Sequence, residues 1–494
     1  MKKAGLIFIP ALGAGHLVSM VGFARRLLER DSRFSITILL TRLSFSPDTA
    51  GSKSFFAATD DTIRYSILPD VELPPAEVYK EAPEVFITDY MDSHKPHVRD
   101  FVAKTINSGP NSAPVVGLVL DLFCTSMIDV ANERDIPSYL FYTSGAAFMG
   151  LMLYLPTHYE NVRREFMKSD PETIFPSYKN PFPSTLAPPF LLRKAGYITC
   201  AAAGRRYRET KGIIVNTFSE LEPYAVSSFL DGRTPPVYTV GPILDLLGQA
   251  HVKTSADEHV RIMRWLDAQP ESSVVFLCFG SVGSIGGAPV REVALGLMHS
   301  GSRFLWSVRK PPPEGEVSEP TDYTVEDLKA ILPEKFLSLL EEGTGMVCGW
   351  APQVEVLAHV AVGGFVSHCG WNSILESLWF GQPIATWPMY AEQQSNAFQL
   401  VREMGLAVEM RLSYDKNGGD LVTADELKEA ITSLMDQDNE VRRRVKEMAT
   451  MSRRALTEGG SSFNSLAFLI DDMIGVSNSS MHPLNLTHRI YEAH

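Results

Sequence analysis

His16 lies in the glycine-bounded run LGAGHL, directly after a short apolar segment and at the start of a helical pattern. A helix N-terminus disfavours the imidazolium, and a neutral imidazole is a competent general base. Asp121 closes another apolar run, VVGLVLD. A carboxylate behind an imidazole fixes its tautomer and stabilises its charged form. Each residue also has a plainer reading: His16 as a surface residue at a helix start, Asp121 as the N-cap of the helix opening LFCTSMIDVANE.

A second concentration of polar groups falls between residues 343 and 394. The run SHCGWNSILES leads from a strand through Cys369 and Gly370 into a helix, and backbone N–H groups at such a helix start form an anion site. His368, Asn372 and Ser373 add hydrogen-bonding groups around it, although Ser373 and Glu376 also fit a capping box. Trp350 ends a strand just before APQ, where Pro352 suits a first helical turn. Its indole can be a hydrophobic staple or an aromatic plate for a flat base. Glu392 and Gln393 follow QPIATWPMY and suit sugar hydroxyls, or simply open a helix. Cys369 beside His368 is a formal nucleophile pair, but adjacent residues at a strand end point to opposite faces.

Residues so placed need a scaffold that gathers strand ends. GLIFIP is a short apolar run, LGAG is turn material, and HLVSMVGFARRLLERD sets Leu17, Val18, Val21, Ala24, Leu27 and Leu28 on one helical face. FSITILL follows as a strand, which completes a βαβ unit. Two lysines before an apolar run also match a signal peptide, but Pro10 interrupts its centre and the regular continuation has no place in one. PVVGLVLD, PSYLFYT and GIIVNTF are further strands, while residues 45–100 and 150–200 read as long irregular insertions. After a Pro- and Gly-containing linker, SSVVFLCFGS, RFLWSVR, GMVCGW, GGFVSH and QPIATWP alternate with helical patterns. Residues 311–330 read as a polar loop, QVEVLAHVAV and AEQQSNAFQLVREMG as helices, and the last hundred residues as mainly helical with a disordered tail. Strands alternating with helices make parallel sheets covered on both faces, and ligands sit at the carboxyl ends of such strands.

Composition narrows the function classes. The net charge of -13 argues against a nucleic-acid binder, and no 18-residue stretch is apolar enough to span a membrane. Five scattered cysteines, without metal-ligand spacing, suit a reducing compartment, so the two N-x-S/T patterns at Asn478 and Asn485 carry no weight. A dinucleotide fingerprint is incomplete. Val18 takes the place of the third glycine after Gly13 and Gly15, and the second strand ends LLTRLSF without an acidic residue. An NAD(P)-dependent oxidoreductase is therefore an alternative reading that lacks its complete fingerprint.

The run WAPQVEVLAHVAVGGFVSHCGWNSILESLWFGQPIATWPMYAEQQ, Trp350 to Gln394, resembles the signature of the plant secondary-product UDP-sugar-dependent glycosyltransferases. The stretches IFIPALGAGHLVSMVGFARRLL, GIIVNTFSELEP and FLCFGS are similar to the same family, so the likeness extends to about residue 475. Its closest likeness is to the branch that glucosylates flavonoids, phenolics and triterpenes. The resemblance implies two facing Rossmann-like domains of the GT-B architecture: 1–245 for the acceptor and 246–460 for the donor. A final helix near 461–475 packs back on the first domain, and 476–494 is a tail. It implies inverting transfer of glucose from UDP-glucose to a hydroxyl of a small lipophilic or phenolic acceptor; a nucleotide-sugar-binding protein without catalysis is the alternative that keeps the donor signature. His16 is then the base and Asp121 its partner. Trp350 and Ala351 meet the uracil, Gln353 the nucleoside and Glu376 the ribose. His368, Asn372, Ser373 and Ser281 hold the pyrophosphate, with Trp371 beside the sugar. Thr143, Glu392 and Gln393 contact the sugar, and Gln393 favours glucose. Glu392 stands where many members carry Asp. The acceptor pocket draws on Gly15, Phe123, Phe148 and Tyr390, and the insertions supply Phe141, Tyr154, Phe190 and Leu191. No metal or cofactor is required, Asp436-x-Asp438 reads as a solvated turn, and a cytoplasmic monomer is expected.

Overall fold

The computed structural model describes residues 3–41, 63–107, 113–246, 254–313, 318–415 and 418–475. In the first half, seven strands form: β1 Ala4–Ile9, β2 Phe34–Leu40, β3 Ile63–Ile67, β4 Val115–Asp121, β5 Ser138–Tyr142, β6 Gly212–Val215 and β7 Val237–Thr239. The central strands β1, β4, β5 and β6 are apolar runs largely buried on both faces, as parallel strands between helical layers must be, whereas the edge strand β3 is partly exposed. They pair in parallel in the order β3-β2-β1-β4-β5-β6-β7. The opening apolar run is thus β1, hydrogen-bonded on both sides.

The second half restarts the same pattern with β8 Val274–Cys278, β9 Arg303–Ser307, a hairpin of β10 Arg309–Lys310 and β11 Thr321–Asp322, then β12 Gly345–Cys348, β13 Val362–Ser367, β14 Ile384–Thr386 and β15 Ala407–Val408. Its six-stranded parallel sheet has the order β12-β9-β8-β13-β14-β15. Both sheets reverse their winding once, between β1 and β4 and between β8 and β13. At such a switch point the following loops part and leave a crevice at the carboxyl ends. His16 and Asp121 follow β1 and β4 in one sheet; Ser281 and His368 follow β8 and β13 in the other. The architecture is two facing parallel-sheet Rossmann-like domains.

Three places differ from the sequence reading. Residues 76–81, 83–93 and 95–106 are helices, not irregular insertion, as are Ala146–Val162 and Lys194–Tyr207. The helix Ala146–Val162 is buried along most of its length, so it lacks the polar face that marks a helix in sequence. The expected loop 311–330 contains the second hairpin strand, Thr321–Asp322, and nearly all of a helix, Val325–Ile331, started by a Thr324–Asp327 capping box. The pattern after Tyr390 is an α-helix, Gln393–Phe398, continued by a π-helical turn, Gln399–Met404. Residues 42–62 and 476–494, the latter holding the tail, Asn478 and Asn485, lie outside the described residues.

The halves share hydrophobic cores. Phe218 and Leu221 join the cluster of Trp371, Ile374 and Leu375, while Phe398 joins that of Phe148 and Tyr178. The last described helix, Ser461–Ile474, puts Leu466, Leu469, Ile470 and Met473 into the core beside β1 and β2. Tyr139 on β5 donates to Asp472 at 2.8 Å and anchors that return.

Candidate active site

The turn after β1 leads into the helix Ala14–Arg30, whose N-cap Gly13 has φ 111°, a conformation that glycine adopts freely. His16 is in the first turn. Its Nδ1 lies 2.8 Å from Asp121 Oδ2 and 3.1 Å from Thr143 Oγ1. A carboxylate can only accept, so Nδ1 carries the proton and donates to it. That leaves Nε2 as the basic nitrogen; no described residue bonds it, and the side chain is 25% exposed. Asp121 is fully buried, and its other oxygen accepts from the backbone N–H of Phe123 at 3.2 Å. The N-cap of the helix Met127–Asn132 is Ser126, so Asp121 does not serve as a cap.

Burial pulls the His16 pKa down, but the charge of Asp121, its hydrogen bond and the charge of Glu392 outweigh this, and the net shift is upward. The expectation that the helix start would depress it therefore needs correction: the buried carboxylate at 2.8 Å outweighs the partial charge of one helix end.

The strand-end residues of the second sheet converge as well. Gln353 Nε2 donates to Ser373 Oγ at 2.9 Å and to Glu376 Oε2 at 2.7 Å. The capping box expected of Ser373 and Glu376 does not form. The helix starts at Trp371 with Gly370 as an N-cap without a side-chain cap, so Ser373 already lies inside it, and both side chains meet Gln353 instead. Burial pushes the Glu376 carboxyl up to about 7, partly offset by that hydrogen bond. His368 is buried and its pKa falls to about 4 for the same reason. Its ring sits between Gly280 and Gly370, at each of which a Cβ would come within 2.5 Å of Nε2. Tyr390 lies beside it, with ring centroids 6.0 Å apart.

Arg309 sits over the half-buried Trp350 indole, 5.1 Å from the ring centroid, and Ala351 is buried beside it. Ser281 is half-buried in the turn after β8. Gln393 is buried, its Oε1 accepting from the backbone N–H groups of Met389 and Tyr390 at 2.9 and 3.0 Å. Cys369 is buried, its thiol pushed up to about 12 and directed at Ser367 O, so it is not a nucleophile. Asp436 accepts from the Asp438 N–H in a turn between helices.

Several residues of the set span the two halves. Asn372 Nδ2 donates to Gly15 O at 3.3 Å and its Oδ1 accepts from Ser19 at 3.1 Å. Trp371 Nε1 donates to Asn216 O at 2.7 Å, and Ser144 donates to Glu392 Oε1 at 3.0 Å. Glu222 accepts from the N–H groups of Ala146 and Ala147, at 2.8 and 2.9 Å, and from Gln399 at 3.1 Å. It satisfies a helix N-terminus that has no cap of its own. Sequence reasoning missed Ser19, Ser144, Asn216 and Glu222 as cross-cleft partners; Ser19, Asn216 and Glu222 fall inside stretches similar to the family, and Ser144 directly follows the strand run PSYLFYT.

Of the aromatic candidates, Phe123 lies beside His16, with ring centroids 5.7 Å apart. Phe148 packs edge-on to Phe190, centroids 6.2 Å apart, with Tyr154 and Leu191 in the same cluster. Phe141 is different. It stacks on Phe23 at 5.1 Å in the core on the other side of β5 and is removed from the pocket.

A crevice at the carboxyl ends of two facing parallel sheets, with an imidazole–carboxylate pair on one wall and a helix start without a side-chain cap on the other, defines a two-domain Rossmann-like protein with its candidate site between the sheets. Comparison with known proteins makes this specific. The family described as UDP-glucoronosyl and UDP-glucosyl transferase matches residues 234–449. UDP-glycosyltransferase 71K1 of Malus domestica is 49% identical over 96% of this chain and 100% of its own length. A flavonol 3-O-glucosyltransferase, UGT71C4 of Arabidopsis thaliana, is 46% identical over 96% and 98%. The crystal structure of Medicago truncatula UGT71G1 complexed with UDP-glucose superposes with a TM-score of 0.86 at 46% identity, over 95% of this chain and 98% of that one. The chain belongs to the UDP-glycosyltransferase family.

Proposed function

We propose that the protein transfers glucose from UDP-glucose to a hydroxyl of a small lipophilic or phenolic acceptor, with inversion at the anomeric carbon. The observation that carries this reading is the His16–Asp121 contact at 2.8 Å, with Nε2 left open. The acceptor hydroxyl gives its proton to Nε2 as its oxygen attacks the anomeric carbon. The bond to the β-phosphate oxygen breaks with its electron pair, and UDP leaves from the opposite face. Asp121 offsets the charge on the imidazolium.

On the donor side, Trp350 stacks on uracil beside Ala351 and Gln353, and Glu376 accepts from ribose hydroxyls. His368, neutral at working pH, donates to a phosphate together with Asn372, Ser373, Ser281 and the helix start. Thr143, Trp371, Glu392 and Gln393 surround the sugar. Gly15, Phe123, Phe148 and Tyr390 border the acceptor. The flavonol and flavonoid names of relatives support a flavonoid-type acceptor, and the apolar cluster around Phe148 and Phe190 suits a flat aglycone. Five buried free thiols fit a cytoplasmic enzyme.

Replacing His16 with Ala should lower kcat about 10²- to 10⁴-fold with UDP binding retained. A variant that transfers glucose at the wild-type rate across a phenolic panel would remove His16 from the reaction.

A further inference from the structure

Thr143, Ser144 and Gly145 form the turn between β5 and the helix Ala146–Val162, and each meets a different part of the site. Thr143 Oγ1 lies 3.1 Å from His16 Nδ1. Ser144 is buried and donates to Glu392 Oε1 at 3.0 Å, across the boundary between the halves. A Cβ on Gly145 would come within 2.9 Å of the Trp371 ring, so the turn sits directly against the helix Trp371–Phe380. The Glu392 carboxylate is divided. Oε1 takes the Ser144 hydroxyl and lies 3.5 Å from Asn396 Nδ2, whereas no described residue donates to Oε2.

The length of the side chain matters. Aspartate is one carbon–carbon bond, about 1.5 Å, shorter, and a contact of 3.0 Å would open beyond hydrogen-bond range. Glutamate at 392 and the hydroxyl at 144 therefore form a matched pair. We propose that Ser144 is a positioning residue: it holds Glu392 Oε1 so that Oε2 is presented to a sugar hydroxyl, and thereby sets the orientation of the hexose relative to His16. This rests on the reading of Glu392 as a sugar contact.

The test uses full-length protein carrying Ser144→Ala, Ser144→Thr, Glu392→Asp and the Ala/Asp double change. Calorimetry without acceptor gives Kd for UDP-glucose and for UDP, so the result stands apart from any rate. Ser144→Ala should weaken UDP-glucose about five- to tenfold. Binding of UDP, which lacks the hexose, should stay within about twofold, and Ser144→Thr should restore the donor. On Glu392→Asp, the added Ser144→Ala should change Kd less than about twofold. With acceptor present, KM for UDP-glucose should rise more than kcat falls. Equal weakening of UDP and UDP-glucose by Ser144→Ala, or full multiplication of the two single effects, would overturn the proposal. A wild-type protein that binds UDP-glucose but transfers nothing would contradict the transfer reading instead, and would leave this binding comparison readable.

Discussion

Two imidazoles stand at strand ends beside the winding reversals of the two sheets, on opposite flanks of the reversal. His16 follows β1 and His368 follows β13, each at a winding reversal, and burial lowers the proton affinity of both. They end on opposite sides of their ordinary value. Asp121 lies 2.8 Å from His16 and carries it upward. His368 lies between two glycines and beside Tyr390, with burial as the dominant influence, and falls to about 4. The difference teaches that a strand-end histidine takes its charge from what faces it: a carboxylate stabilises its protonated form, and an uncharged cradle keeps it neutral.

The largest break in this contrast is expected from Asp121→Asn. Removing the charge while keeping the shape should lower kcat/KM about 10²-fold in steady-state assays, because the imidazolium loses its counter-charge. A loss below threefold would mean that Asp121 only shapes the turn. His368→Ala should act on the other side of the cleft, weakening UDP about tenfold or more by calorimetry. Since His368 is neutral above about 4, its contribution to UDP affinity should be level between pH 5.5 and 8. A UDP affinity that climbs steeply on acidification through pH 6, and ceases to do so in His368→Ala, would contradict the neutral assignment.

Glu376 sharpens the comparison from a third direction, since it has burial without a cation. Its folded pKa of about 7 lies above the unfolded carboxylate value, so the folded state holds the proton more tightly. Stability should therefore fall as pH rises from about 4.5 to 7, by at most about 3 kcal/mol. In the unliganded protein, Glu376→Gln should flatten the decline in Tm between pH 5 and 7.5. An unchanged decline would assign it to other groups.

The sequence disclosed the site better than its supports. β1, β4, β5, β8, β9 and β13 were legible because each is a short apolar run ended by a turn residue or a lone polar one. Of the candidate residues at those ends, His16, Asp121 and His368 followed from topology, and Thr143 and Ser281 only from the family resemblance. The helix Ala146–Val162 was hidden because burial on nearly all sides erased its period. Ser373 and Glu376 matched a local capping motif and were instead recruited by Gln353, from a different helix. Local patterns cannot report such a partner. The same holds for Ser19 with Asn372 and Ser144 with Glu392, whose pairing exists only once the two halves meet. Phe141 failed for a third reason: strand alternation set its ring against Phe23, away from the cleft.

The central claim is that Asp121 poises His16 as the base, and the pH dependence of kcat/KM tests it most directly. A general base acts unprotonated, so under this claim the wild-type rate should rise with pH through a single acidic limb centred above about 6.5. In Asp121→Asn, loss of the neighbouring charge should move that limb to lower pH and reduce the plateau. A limb that stays where it was, with the plateau lowered or not, would show that the group titrating in the reaction is not the imidazole facing Asp121.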